Sequence, residues 1–114
     1  MARILIVEDD QPLAETLTTL LRSSGHEAHA IHDGRAALTE AARMAPDVVI
    51  SDIGLPSIDG AAVAHALRIR YGSSVRLVAL TAADDKPSWQ RMQRDGFDAI
   101  LIKPETFDEI LGAL

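Results

Sequence analysis

Ile4-Leu5-Ile6-Val7-Glu8-Asp9-Asp10 is an apolar run that stops abruptly in three acids. The pattern recurs at Val48-Val49-Ile50-Ser51, which ends in Asp52, and at Ala99-Ile100-Leu101-Ile102, which ends in Lys103-Pro104. Runs this short and apolar throughout read as strands buried on both faces of a parallel sheet. If they are strands of one sheet, their terminal charges converge on one edge. In open α/β sheets, the crevice outside the carboxyl ends of the strands is where ligands bind. Packing gives no reason to gather acids and a lysine there, so the feature points to function.

Working outward, residues 75–80 form a further apolar run, and the stretch from Ala28 to Ile31 is a weaker strand candidate. Residues 98–102 complete the set. Between them, Leu13, Leu17, Leu20 and Leu21 form a helical stripe closed by Gly25. Asp33-Gly34 opens a second helix through Met44, and Pro46 prevents its continuation. A third helix carries Val63, Ala64 and Leu67 and ends near Tyr71-Gly72, with Asp59-Gly60 as its leading turn and cap. A fourth starts near Asp85, where Lys86-Pro87 suits a first turn, and stops at Gly96. A last one shows Phe107, Ile110, Leu111 and Leu114 at helical spacing. Strand and helix alternate five times, which implies parallel strands joined by right-handed crossovers.

The bulk properties narrow the class. The chain has 114 residues, 47% of them apolar and 25% charged, the size and balance of one domain with a real core. A net charge of −6 argues against nucleic acid or an anionic membrane as direct partners of this surface. The chain has no cysteine, which removes disulfides, thiolate metal sites and cysteine nucleophiles together. Met1-Ala2-Arg3 leads straight into the first strand, and no apolar run approaches the roughly 20 residues of a membrane span, so a cytoplasmic location is expected. A dinucleotide site would need G-x-G-x-x-G after the first strand; here that turn is acidic and would repel a pyrophosphate.

Carboxylates about 4 Å apart repel by roughly 1 kcal/mol in bulk water and about 4 at an effective dielectric of 20, so such a cluster calls for a cation. Oxygen-only donors suit Mg²⁺, with Mn²⁺ as an alternative ion. A carboxylate beside the metal can act as a nucleophile toward phosphorus. Lys103 would supply a compact positive charge to phosphoryl oxygens, and Thr81, ending Leu77-Val78-Ala79-Leu80, a hydroxyl. Taken singly, Asp52 reads as a strand-end cap and Thr81 as an ordinary strand-end threonine; only their company changes that.

With ILIVEDD at 4–10, SDIGLPSIDG at 51–60, LTA at 80–82 and IKP at 102–104, the sequence resembles the receiver domains of two-component response regulators over essentially its whole length. The resemblance implies one receiver domain over residues 1–114. Its fold would be a flavodoxin-like three-layer α/β/α sandwich, a five-stranded parallel sheet in the order 2-1-3-4-5. It implies that Asp52 is the phosphoacceptor, that Glu8, Asp9, Asp52 and the Gly54 carbonyl hold Mg²⁺, and that Thr81 and Lys103 contact the phosphoryl group. Asp10 is peripheral, and a cis peptide joins Lys103 to Pro104. The phosphoryl donor would be a histidine kinase or histidine phosphotransfer protein. The downstream effector would bind the face formed by the fourth helix, fifth strand and fifth helix, with no direct nucleic acid or membrane contact.

Two departures stand out, and one further pair of positions bears on lifetime. Ile100 occupies the switch position where the family often has an aromatic residue. Glu105 follows Pro104 where winged-helix regulators commonly carry Phe, which weakens a transcription-factor reading. Gly54 and Ala83 are both small, which suggests ready water access and a short-lived phosphoryl group. Two rival readings remain: a phosphorylation-independent interaction module on the same fold, and an aspartyl-nucleophile phosphatase. Gly54 disfavours the phosphatase, because it stands where such enzymes need a second acid.

Other residues read more plainly. His26, His29 and His32 do not share a strand face closely enough for a metal site. His65 is expected at the surface. Trp89 and Met92 are read as packing residues in preference to a partner surface. Arg91 and Arg94 with Asp108 and Glu109 would suit a homodimer, which is the less favoured reading.

Overall fold

A computed structural model of the chain describes residues 1–53, 60–82, 86–103 and 107–114. Its strands are β1 (Arg3–Val7), β2 (Glu27–Ile31), β3 (Val48–Asp52), β4 (Arg76–Thr81) and β5 (Ala99–Ile102). They form one parallel sheet in the order β2-β1-β3-β4-β5, as the alternation and the resemblance implied. The helices are α1 (Gln11–Ser23), α2 (Gly34–Met44), α3 (Gly60–Tyr71), α4 (Lys86–Asp95) and α5 (Phe107–Ala113).

Successive side chains of a strand point to opposite faces, and the apolar runs split accordingly. Leu5, Val7, Val49, Leu77 and Ala79 pack with Ala37, Ala41 and Met44 of α2, Val63, Ala64 and Leu67 of α3, and Met92 of α4. Ile4, Ile6, Val48, Ile50, Val78 and Leu80 pack on the other face with Leu17 and Leu21 of α1 and Ile110 and Ala113 of α5. All four apolar residues from Ile4 to Val7 are fully buried. Each such side chain contributes about 1.5–3 kcal/mol by leaving water.

Local signals end the helices where the sequence suggested. The Asp10 carboxylate accepts from Leu13 N at 3.1 Å and caps α1, with Pro12 in the first turn. Gly25, at φ +91°, takes the chain out of that helix in a conformation that favours glycine. Asp33 caps α2 by accepting from Arg35 N at 2.8 Å. Gly96, at φ +110°, follows α4, and a Cβ there would meet the Arg68 side chain at 3.3 Å.

Two expectations need correcting. Leu20 is 37% exposed and does not belong to the buried stripe; Leu13, Leu17 and Leu21 repeat every four residues and leave it on the stripe's margin. β5 is half-buried along its length, not covered on both faces, because it is an edge strand. His65 is exposed, and Met92 is buried with Trp89 packed against the same cluster. Among the described residues, no helix is long and apolar enough to cross a membrane.

Candidate functional site

Register brings the acids together. In β1 and β3, Ile4 pairs with Val48, Ile6 with Ile50 and Val7 with Ser51. One step further, Glu8 falls opposite Asp52, on neighbouring strands about 4.8 Å apart. Glu8 has the strand parity of Ile4 and Ile6, Asp52 that of Val48 and Ile50, and Lys103 that of Ala99 and Leu101, all of which pack on the α1/α5 side. One edge and one face therefore collect two carboxylates and an ammonium. Thr81 ends β4 with the opposite parity, beside Ile102 in the β4–β5 register, and is buried.

The side chains meet as that placement requires. Lys103 Nζ lies 3.2 Å from Glu8 Oε1 and 3.3 Å from Asp52 Oδ2. Glu8, Asp9 and Asp52 each offer a carboxylate oxygen, and these oxygens lie within 4.8 Å of one another. Glu8 is fully buried, whereas Asp9 is exposed, so the cluster opens to solvent on one side. Burial and the adjacent Asp52 carboxyl push the Glu8 pKa up to about 8, against the opposing pull of Lys103. Burial alone would lower the pKa of Lys103, but the two carboxylates outweigh it and hold the ammonium above its ordinary value.

This donor set fits a hard divalent cation. Glu8 Oε2 is buried and finds no hydrogen-bond partner among the described residues, although a buried polar atom without a partner is costly. Among the described residues Lys103 is set against the Glu8 and Asp52 carboxyls, and Asp9 adds a third acid to the cluster. Three convergent oxygens, with one side open for water or a phosphate oxygen, match what Mg²⁺ requires.

Of the residues singled out in the sequence, Glu8, Asp9, Asp52 and Lys103 converge. Thr81 sits at the same sheet edge. Asp10 turns to capping α1, consistent with a peripheral role. Ile100 is half-buried and packs against the α2/α3/α4 cluster. Gly54, Asp59, Ala83, Asp85, Glu105 and the Lys103–Pro104 peptide lie outside the described residues.

His32, which the sequence offers only as one of three histidines unsuited to a metal, makes a contact with this site. Its Nδ1 lies 2.9 Å from the Glu8 carbonyl oxygen, and nothing in residue type or spacing signals a contact across the β1 and β2 ends.

A family model described as a response regulator receiver domain matches residues 4–114. The sensory transduction protein RegX3 of Mycobacterium tuberculosis is 38% identical over 114 residues, covering all of this chain and 49% of that protein. The chain thus spans about half the length of the curated relatives it matches. The chemotaxis protein CheY4 of Vibrio cholerae superposes with a TM-score of 0.90 at 26% identity, covering 100% of this chain and 99% of that one. The receiver domain of sensor histidine kinase PA1611 from Pseudomonas aeruginosa has a TM-score of 0.85 at 28% identity, covering 97% and 92%. That structure holds a magnesium ion coordinated in its active site cleft.

Proposed function

The chain belongs to the response regulator receiver domains of two-component signalling, and on that premise we propose that Asp52 is its phosphoacceptor in a Mg²⁺-dependent switch. The observation that carries the reading is the convergence of Glu8, Asp9 and Asp52 carboxylates with the Lys103 ammonium at one sheet edge.

Glu8, Asp9 and Asp52, with the Gly54 carbonyl, hold the ion. When bound, Mg²⁺ neutralises charge on the phosphoryl oxygens and on the acids that surround them. An Asp52 carboxylate oxygen attacks phosphorus in line; the O–P bond forms as the N–P bond to a phosphohistidine breaks, and the released imidazole takes up a proton. Lys103 leaves its carboxylate partners to pair with a phosphoryl oxygen, and Thr81 donates its hydroxyl to another. The new phosphate brings about −1.5 to −2 charges into a small pocket. The surface of α4, β5 and α5 responds, with Ile100 as a non-aromatic switch element. Hydrolysis of the acyl phosphate resets the domain, and the small Gly54 and Ala83 favour a short lifetime.

The donor in this reading is a histidine kinase or histidine phosphotransfer protein, and an effector reads the α4–β5–α5 face. The domain catalyses its own phosphorylation and dephosphorylation and turns over no outside substrate. Residues 1–114 act as one receiver unit in the cytoplasm.

Beryllofluoride with Mg²⁺ tests the reading without a kinase, since it mimics a phosphoryl group on an aspartate. Fluorine NMR should show protein-bound resonances for the wild type and none for Asp52→Ala. Equal spectra for both proteins would remove Asp52 from its role.

A further inference from the structure

His32 stands at the corner between β2 and α2, and its neighbours fix that corner from both sides. Before it, the Ile31 carbonyl accepts from Glu8 N at 3.0 Å. After it, the Asp33 carboxylate caps α2 through Arg35 N at 2.8 Å. Between these ties, His32 Nδ1 meets the Glu8 carbonyl oxygen at 2.9 Å. A carbonyl oxygen can only accept, so the ring carries its hydrogen on Nδ1 and donates it. His26 shows the opposite arrangement: its Nδ1 accepts from Ala2 N at 3.0 Å, which places the ring hydrogen on Nε2.

Both peptide groups of Glu8 are therefore held by the β2–α2 corner, the N–H by Ile31 and the carbonyl by His32. The Glu8 carbonyl belongs to the peptide plane shared with Asp9. Fixing that plane fixes the direction in which the chain leaves the sheet, and with it the position from which the Asp9 side chain springs. Asp9 is exposed, and among the described residues no side-chain hydrogen bond or ion pair orients it, so backbone geometry has the larger share in aiming its carboxylate at Glu8 and Asp52.

We infer that His32 is a positioning residue: by donating from Nδ1 to the Glu8 carbonyl it holds the turn that presents Asp9 to the divalent cation. The inference rests on the reading of Glu8 and Asp9 as metal-binding residues. His32 itself touches neither metal nor phosphoryl group, and acts through the backbone between the two acids.

The test is the Mg²⁺ dissociation constant, measured by calorimetry at one fixed pH, of wild type, His32→Phe, His32→Gln and His32→Asn. Asn carries its amide nitrogen as many bonds from Cβ as the Nδ1 of His, so it can restore the hydrogen bond. Gln carries it one bond further, and Phe has no donor. Phe and Gln variants should bind Mg²⁺ about three- to tenfold more weakly, the scale of one lost hydrogen bond supporting a metal site. The Asn variant should stay within about twofold of wild type, the spread expected when the bond is kept. Thermal midpoints in EDTA provide the control: a contact that is only structural would lower the midpoints of the variants and leave the Mg²⁺ affinity of the folded protein unchanged. Equal affinities across all four proteins, or an Asn variant as weak as Phe, would overturn the inference. Wild type that takes up no Mg²⁺ would instead overturn the metal site, and this inference with it.

Discussion

Lys103 Nζ sits 3.2 Å from Glu8 Oε1, an ion pair between residues 95 positions apart in sequence. Glu8 is fully buried and the lysine partly open, so the pair is an acid sealed beneath a cation that can leave. Without metal, the ammonium is the positive charge holding Glu8 and Asp52 at one sheet edge. In the proposed reaction the same group turns to the phosphoryl oxygens.

Lys103→Met should therefore weaken the metal-free protein, since it strands two neighbouring carboxylates. The cost should be on the order of 1–3 kcal/mol, below that of a fully buried pair because Lys103 is partly solvated and Glu8 can take up a proton. Mg²⁺ should restore most of it. Urea denaturation in EDTA and in excess Mg²⁺ checks this; equal losses under both conditions would mean that Lys103 does not offset the acids.

Acidity gives a second prediction, with its sign. The Glu8 pKa rises from an ordinary value near 4.5 to about 8 on folding. Between those values the folded protein holds more protons than the unfolded chain, so its stability falls as pH rises through that window. The contribution is complete below 4.5 and gone above 8, a few kcal/mol at most on the scale of about 1.4 kcal/mol per pKa unit. Denaturation midpoints from pH 5 to 8.5 in EDTA should drop, and Glu8→Gln should flatten the slope. Because metal displaces the proton, Mg²⁺ affinity should climb over the same range. A flat wild-type profile would contradict this.

Asp9 and Asp10 adjoin in sequence but should separate by experiment. Asp10→Ala removes the α1 cap and should cost about 1 kcal/mol of stability, with Mg²⁺ affinity almost unchanged. Asp9→Asn removes one anionic ligand and should weaken Mg²⁺ about tenfold or more, with little change in stability in EDTA. A calorimetric titration and a melting curve of each variant decide the matter; the reverse pattern would exchange their roles.

Much of this was legible in the chain because period and punctuation agree. Ile4 to Val7 and Val48 to Ile50 are short and apolar throughout, as buried strands are, and Asp33 stands where α2 begins; that Asp10 caps α1 came only from the structure. The acids were legible because charge at the end of a buried strand has no packing excuse. Register was not: nothing local says that Glu8 lies opposite Asp52, since that follows from how β1 and β3 align. Lys103 could be assigned to a phosphoryl group from the motif, but its pairing with Glu8 needed the fold. The His32 contact was invisible for the same reason, because its partner is a backbone carbonyl 24 residues away. Leu20 misled because an apolar residue beside a stripe looks like part of it.

At the opposite edge of the sheet, Asp98 Oδ2 accepts from Leu77 N at 2.8 Å and from Arg68 Nη2 at 2.8 Å. Arg68 also donates to the carbonyls of Gly72, Val75 and Gly96. Asp98→Ala should cost about 1–3 kcal/mol through the unsatisfied amide and guanidinium. It lies far along the strands from the acids and should leave Mg²⁺ affinity unchanged. Chemical denaturation beside a Mg²⁺ titration checks both halves, and a shifted affinity would show that the two edges are coupled.

The most direct test of the central claim is the intact mass of wild type and Asp52→Asn after incubation with acetyl phosphate and Mg²⁺. The wild type should gain a single phosphoryl group, lost when EDTA precedes the donor, and Asp52→Asn should gain none. An adduct of equal yield on both proteins, or one indifferent to EDTA, would contradict a Mg²⁺-dependent phosphoacceptor at Asp52.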